Sequence, residues 1–456
     1  MVRLDYTLWS SPVAAQKLFD FSPLTVTTPT TRFYSYNTVA NGYDNTGITT
    51  TSTFTRGIGY AVRAPNNYST TTPTVFTGAF TGVPNNGTYS IALSTGSGYN
   101  LVGNPYPSPI DATAFVTANS ALIDGTLYFF SHNAKSDGTA YETSSGGTGM
   151  QYATWNSTGA TAAASGISGI GQNTSIPNGT IQVGQGFIVN KTTTVAGNVS
   201  FTNAMRTVTG TAANADQFLK LVNTKSTTAA IATEKHRLWL DLTNENGEGL
   251  SQSLVGYVEG ATNEVDNLFD GEEFGNPQSS LSSQVNGKSY TIQGRALPFN
   301  DTDMVPLAFK AAANGKYTIS LSKTDGLFAS NQEVLLKDNA TGTMKDLKTG
   351  SYTFSASAGT TSTRFVLAYS KSAINAIESP TVVVTAVKKQ GVYQISTDGA
   401  LLKEIAVYDM QGNEIFKQKE INASTTYLNN LTATRGIFIV KATTENNTIN
   451  TIKIIN

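Results

Sequence analysis

Along most of the chain, apolar side chains recur at every second position over short runs bounded by Gly, Asn, Pro or Ser. That is the period of a half-buried β-strand and not of a helix. The clearest run is 236–243, where Leu238, Leu240 and Leu242 face one way and Arg237, Trp239 and Asp241 the other. Residues 316–322, with Tyr317, Ile319 and Leu321, and 363–369, with Phe365, Leu367 and Tyr369, repeat the pattern. Runs at 333–337 and 344–347 flank Asp338-Asn339-Ala340-Thr341-Gly342, which reads as a hairpin. Further strands are predicted at 125–131 and 184–190. Residues 158–180, rich in Ala, Gly and Ser without a period, read as a long surface loop. Helix is predicted only around 110–119, after a proline-rich turn, and near 212–218.

The fold class is therefore all-β, in three successive β-rich units. A Thr/Gly/Asn-rich β domain, jelly-roll-like or another sandwich, is predicted over 1–213. A second β-sandwich follows over 214–372, after a break near 213–217 where charged residues become more frequent. Residues 373–380 form a linker, with Ser379 held extended by Pro380. Residues 381–456 form a small Ig-like sandwich whose hairpins centre on 409–413 and 445–447.

Composition narrows the setting. Charged residues are 13% of the 456, against about 25% in ordinary soluble domains, and Thr, Ser, Asn and Gly replace them. Such a surface is expected of an extracellular β protein. With 30 basic and 31 acidic side chains, no global field recruits nucleic acid or an anionic membrane. The absence of Cys excludes a disulfide framework, thiolate metal sites and a Cys nucleophile. No apolar run approaches the ~18 residues of a spanning helix. The first residues, Met1 to Trp9, lack the apolar core of a secretion signal. The residues are thus expected to be the C-terminal part of a longer exported chain, with no membrane-spanning segment of their own.

Candidate chemistry is sparse. Glu264, Asp266, Asp270, Glu272 and Glu273 cluster, as do Asp301 and Asp303. Asp266, Asp270, Glu272 and Glu273 are candidate calcium ligands, since Ca²⁺ takes several oxygens; the alternative is solvated loop charge. His132 and His236 have no neighbour at metal-ligand spacing, and no G-x-S-x-G elbow occurs. Gly57-Ile58-Gly59 and Gly96-Ser97-Gly98 read as turns. No catalytic residue is assigned, no cofactor other than calcium is indicated, and the chain reads as non-enzymatic. Trp9, Tyr34, Tyr36, Tyr43, Tyr60, Tyr68, Tyr99 and Tyr106, with Tyr128, Tyr152 and Trp155, crowd the first unit. They are either sandwich core and rim or a stacking surface for a glycan ligand.

Three segments near the end of the chain belong together. They are Leu402-Lys403-Glu404-Ile405-Ala406-Val407-Tyr408-Asp409-Met410-Gln411-Gly412-Asn413, then Gly436-Ile437-Phe438-Ile439-Val440-Lys441, then Thr451-Ile452-Lys453-Ile454-Ile455-Asn456. Residues 381–456 thereby resemble the C-terminal sorting domain of the Bacteroidota type IX secretion system. One departure is that Val382-Val383-Val384-Thr385-Ala386-Val387 stands where the common form opens with a Val-Tyr-Pro-Asn-Pro-like segment. The resemblance implies that Val407, Tyr408, Asp409, Gly412, Gly436, Ile439, Val440, Lys441, Ile452, Lys453, Ile454, Ile455 and Asn456 carry the sorting signal. It also implies delivery by an outer-membrane translocon and a shuttle barrel to the cell surface, with anchoring or release by a sortase-like peptidase. The last strand is the expected handle, offering backbone groups for strand addition, with Ile452 and Ile454 filling receptor pockets.

Two upstream groups resemble modules that accompany such domains in flavobacterial surface proteins. One is Trp9-Ser10-Ser11-Pro12-Val13, Gly103-Asn104-Pro105-Tyr106-Pro107-Ser108-Pro109-Ile110-Asp111 and Val183-Gly184-Gln185-Gly186-Phe187-Ile188-Val189. The other is Asp270-Gly271-Glu272-Glu273-Phe274, Ile292-Gln293-Gly294-Arg295 and Val305-Pro306-Leu307-Ala308-Phe309-Lys310. The expectation is a non-enzymatic surface protein, the C-terminal part of a large adhesin of gliding type. The other reading is the accessory, carbohydrate-binding region of a secreted polysaccharide-degrading enzyme whose catalytic module lies upstream.

Overall fold

The computed structural model describes residues 1–70, 72–131, 151–164, 176–192, 194, 196–207, 234–373, 383–389, 391–398, 401–429, 436–445 and 449–455. Strands dominate and helix is minor, so the all-β class stands. The chain forms two compact units, Met1–Ser370 and Lys371–Asn456. The first two expected sandwiches are therefore parts of one body. The predicted break at 213–217, the helix near 212–218 and His132 fall outside the described residues.

In the first part of unit 1, a four-stranded sheet runs in the order Tyr6–Trp9, Tyr60–Arg63, Phe33–Asn37, Gly42–Asp44. It packs on a five-stranded sheet ordered Ala160–Thr161, Tyr152–Trp155, Ile123–Phe130, Gly186–Lys191, Tyr99–Gly103. Leu8 and Ala61 of the first sheet meet Leu101, Tyr128 and Ile188 of the second. The opposite face, carrying Leu127, Phe129, Phe187 and Val189, is covered by Phe115 and Val116 of the helix Ala112–Asn119. Asp111 caps that helix, its Oδ1 accepting the Ala114 N–H at 2.8 Å. With both faces covered, the central strand reads as a nearly continuous buried run and not as an alternation.

The second part is an eleven-stranded sheet folded around Leu238, Leu240, Leu242, Val255, Leu307, Phe309, Ile319, Phe365 and Leu367. The strand Lys235–Asn244 carries the three leucines inward as its alternation predicts. Trp239 on the other face is also buried, at 2% exposed. That face lies on the first part, where the Trp239 Nε1–H donates to the Ala160 carbonyl at 2.8 Å. The loop expected at 158–180 is corrected accordingly. Residues 160–164 are buried, Ala160–Thr161 is a strand, and 165–175 lie outside the described residues. Its small side chains serve close approach: a Cβ on Gly159 would lie 2.7 Å from Leu254, and one on Gly256 would lie 2.7 Å from Thr158.

Unit 2 is a two-sheet sandwich. Three strands run in the order Val383–Lys389, Val392–Asp398, Thr425–Leu428. Four face them in the order Glu414–Ala423, Leu402–Tyr408, Ile437–Thr444, Ile449–Ile455. Tyr393, Ile395 and Leu428 from one sheet pack on Leu402, Ile405, Val407, Phe438, Val440 and Ile454 from the other. Of the expected linker, residues 374–380 lie outside the described residues.

Candidate functional site

The four-stranded sheet of unit 2 is built from its hairpins upward. In the turn after Leu402–Tyr408, Asp409 Oδ1 accepts the Gln411 and Asn413 N–H groups at 2.9 and 2.8 Å. Its Oδ2 accepts the Asn413 amide at 2.9 Å. These bonds hold the Asp409 carboxyl below the usual carboxylate range, and Gly412 supplies φ +86°. The D-x-x-G-N signal is thus a turn pinned by one carboxylate.

Register decides what each later residue does. Phe438 stands opposite Ile454, Val440 opposite Ile452, and Ile439 opposite Lys453. Phe438 and Val440 point into the core, so their partners do too. Ile454 is 2% exposed and Ile452 half-buried. Ile454 thus packs into the sandwich core, while Ile452 keeps part of its surface exposed. The exposed residues of the strand are Ile449, Thr451, Lys453 and Ile455, with Ile449 64% and Ile455 66% exposed. Asn456 lies outside the described residues. The doubled Ile454-Ile455 hid this parity in the sequence, and the parity of Phe438 could have revealed it.

Across the outer face, Lys441 Nζ lies 5.0 Å from the Tyr408 ring centroid. Lys417 pairs with Glu404 at 3.0 Å and with Glu414 at 3.6 Å. Towards Ile449–Ile455 the same face carries Ile437 and Ile439, then Thr451 and Lys453 between the two exposed isoleucines. Those two are six residues apart, about 20 Å along the strand. Among the described residues Ile449–Ile455 is an edge, paired on one side only, and Val383–Lys389, the edge of the facing sheet, lies beside it. The Tyr393 hydroxyl donates to the Ile455 carbonyl and ties the strand's end to the facing sheet. Of the exposed large apolar residues, Val387, Leu401, Met410, Ile415, Tyr427, Ile449 and Ile455 all belong to this unit. Apolar surface on an edge strand is a pairing liability unless a partner uses it.

The remaining candidates have structural employment in unit 1. Asp270 Oδ2 accepts the Asp266 N–H at 2.6 Å and its Oδ1 the Gly294 N–H at 2.8 Å. Glu272 pairs with Lys288 at 3.1 Å, and Glu273 accepts from Ser282. Among the described residues no group of three or more His, Asp or Glu is arranged to hold a metal ion. His236 Nδ1 accepts the Leu327 N–H at 3.2 Å at a strand end.

The first upstream motif group converges. Asn104 donates to the Ser108 and Gln182 carbonyls at 2.8 and 3.0 Å, and its N–H to Gln185 at 3.0 Å. The Ser10 N–H reaches the Gly184 carbonyl at 2.8 Å. Asn85 bridges the Ser11 and Pro105 carbonyls. Gly103 is obligatory there, since a Cβ would lie 2.3 Å from that of Ser10. Tyr60, Tyr106, Tyr128 and Tyr152 are buried, and Trp9, Tyr34, Tyr36, Tyr43, Tyr68, Tyr99 and Trp155 half-buried. Among the described residues the exposed large apolar side chains include one ring, Tyr427.

Fold and site thus define an all-β chain of two units, the second of which carries an exposed apolar strand edge. The chain belongs to the family described as Domain of unknown function (DUF8693), whose model matches residues 1–369. Residues 372–456 match a second model, described as Domain of unknown function (DUF8694). The two matches meet where the two compact units meet. No curated protein matches the chain. Among the described residues no helix is long and apolar enough to cross a membrane.

Proposed function

We propose that the chain is a non-enzymatic surface protein exported by a type IX secretion system, with residues 371–456 as its sorting module. The observation that carries this reading is the edge strand Ile449–Ile455. It presents two exposed isoleucines along a strand that, among the described residues, pairs on one side only, on a unit compact in its own right. An extended segment of the translocon or shuttle barrel pairs with that edge and covers Ile449 and Ile455. Unit 1 is the cargo, or the last part of an adhesin that the module delivers to the cell surface.

The test fuses residues 371–456 to a signal-peptide-bearing passenger in a Bacteroidota host with a working type IX system. The passenger reaches the surface, and removal of residues 448–456 leaves it in the periplasm. Removal also uncovers Ile437–Thr444, so protease sensitivity of the truncated unit is measured alongside. Surface delivery of the truncated passenger overturns the reading.

A further inference from the structure

The four-stranded sheet of unit 2 ends in two edges of opposite character. Along Glu414–Ala423 the pairing with Leu402–Tyr408 breaks twice, between Leu402 and Glu404 and between Val407 and Tyr408. Glu420 and Asn422 there adopt φ of +56° and +46°, and Glu414, Lys417, Lys419 and Glu420 spread charge along the strand. Irregular backbone and charge keep an edge from meeting another strand. Ile449–Ile455 has little of either. Its pairing with Ile437–Thr444 runs through all seven residues without a break, and Lys453 is its one charged side chain. Val383–Lys389 beside it pairs as regularly with Val392–Asp398 and leaves Val387 48% exposed. Among the described residues one flank of the unit is guarded and the other is open.

The open edge also reads alike in both directions. Its exposed residues, Ile449, Thr451, Lys453 and Ile455, run apolar, polar, polar, apolar about Ile452. Side chains alternate between faces, so an antiparallel neighbour keeps both outer faces on one side only where outward residues stand opposite outward residues. With a second copy as that neighbour and Ile452 opposite Ile452, the whole strand overlaps. Ile449 then stands against Ile455, and Thr451 against Lys453, twice over. The adjacent registers that keep the faces set Lys453 against Lys453, or Thr451 against Thr451. Neither opposes the exposed isoleucines to each other, and the first opposes like charges.

We propose that a second copy of this chain occupies the open edge, the two Ile449–Ile455 strands pairing antiparallel about a two-fold axis at Ile452. The surface is self-complementary, as a two-fold interface requires. The two four-stranded sheets become one continuous sheet, and the backbone groups of both edges find partners. At each end of the junction Ile449 of one copy covers Ile455 of the other, beside Ile437, which stands opposite Ile455 in the same chain. An edge paired in this way is closed to any other extended segment, so a second copy and the secretion machinery compete for it. The self-pairing does not depend on the secretory reading.

Sedimentation equilibrium of the purified full chain at about 0.1 mM, where contacts of micromolar strength are filled, gives twice the 48.3 kDa of one chain. The register is read with thiols, since the chain has no Cys of its own. Full chains carrying Ile449→Cys are mixed with full chains carrying Ile455→Cys. Opposed residues of an antiparallel pair have Cα atoms about 4.5–5.5 Å apart, within reach of a disulfide. Mild oxidation of the mixture gives the mixed disulfide in high yield. Either variant alone gives little, because like positions lie six residues, about 20 Å, apart along the strand. A single-chain mass for the native protein overturns the proposal, whether or not the variants fold. So does a mixed disulfide that forms no more readily than the like pairs. Neither measurement uses the secretion machinery, so its outcome is separate from that of the sorting test.

Discussion

Asn104 and Asp409 are both the centre of a recognisable motif, yet the surfaces around them differ. Asn104 is fully enclosed, and the segments it gathers are largely buried, with Pro107 and Asp111 left exposed. Asp409 holds an exposed turn tipped by Met410, in a unit that also exposes Ile449 and Ile455. The same contrast holds for residues 270–274, which read as an acidic loop and instead join two halves of one body. Motif density marks places where the backbone must be held; only exposure marks places where another molecule can bind. On the proposed reading, unit 2 is the recognition element and unit 1 is what it delivers.

The comparison breaks most readily in the cores. Phe438 is buried between the sheets of unit 2. Phe438→Ala is expected to cost about 3–5 kcal/mol, against a typical domain stability of about 5–15 kcal/mol. Calorimetry of the full chain should show the unit 2 transition lost or lowered, with that of unit 1 unchanged. A single shared transition that moves as a whole would show the units to be one cooperative body. Next in size is Asn104→Ala, which removes the side-chain bonds to the Ser108 and Gln182 carbonyls and leaves the buried Tyr106 N–H without its Asn104 acceptor. The expected cost is about 2–4 kcal/mol, confined to the transition of unit 1.

Much of this architecture is legible in the order of residues alone. The alternation at 236–243, the hairpin at 338–342 and the unit boundary near 371 all follow from local chemistry. The features that are not legible depend on distant partners. Trp239 looks solvent-facing until Ala160, 79 positions away, is seen to cover it. Residues 159–164 look like a loop because small side chains have no period, and the approach of Leu254 and Arg237 explains the glycine at 159. In the candidate site the motif residues lie on the hairpins and strands that the sequence pattern predicts. Within the last strand the most exposed isoleucines are Ile449 and Ile455, on the face opposite to that of the buried Ile454. A one-residue change of parity exchanges core and surface along a whole strand.

That parity supplies the smallest change in stability and the sharpest test of function. In a passenger carrying residues 371–456, Ile449→Lys together with Ile455→Lys should alter stability by no more than about 0.5 kcal/mol per site, since both side chains already lie in solvent. The measurement is the fraction of that passenger exposed to protease at the surface of intact cells. The account predicts a folded passenger retained in the periplasm; delivery equal to that of the unsubstituted module would contradict the claim that this edge is what the secretion machinery reads.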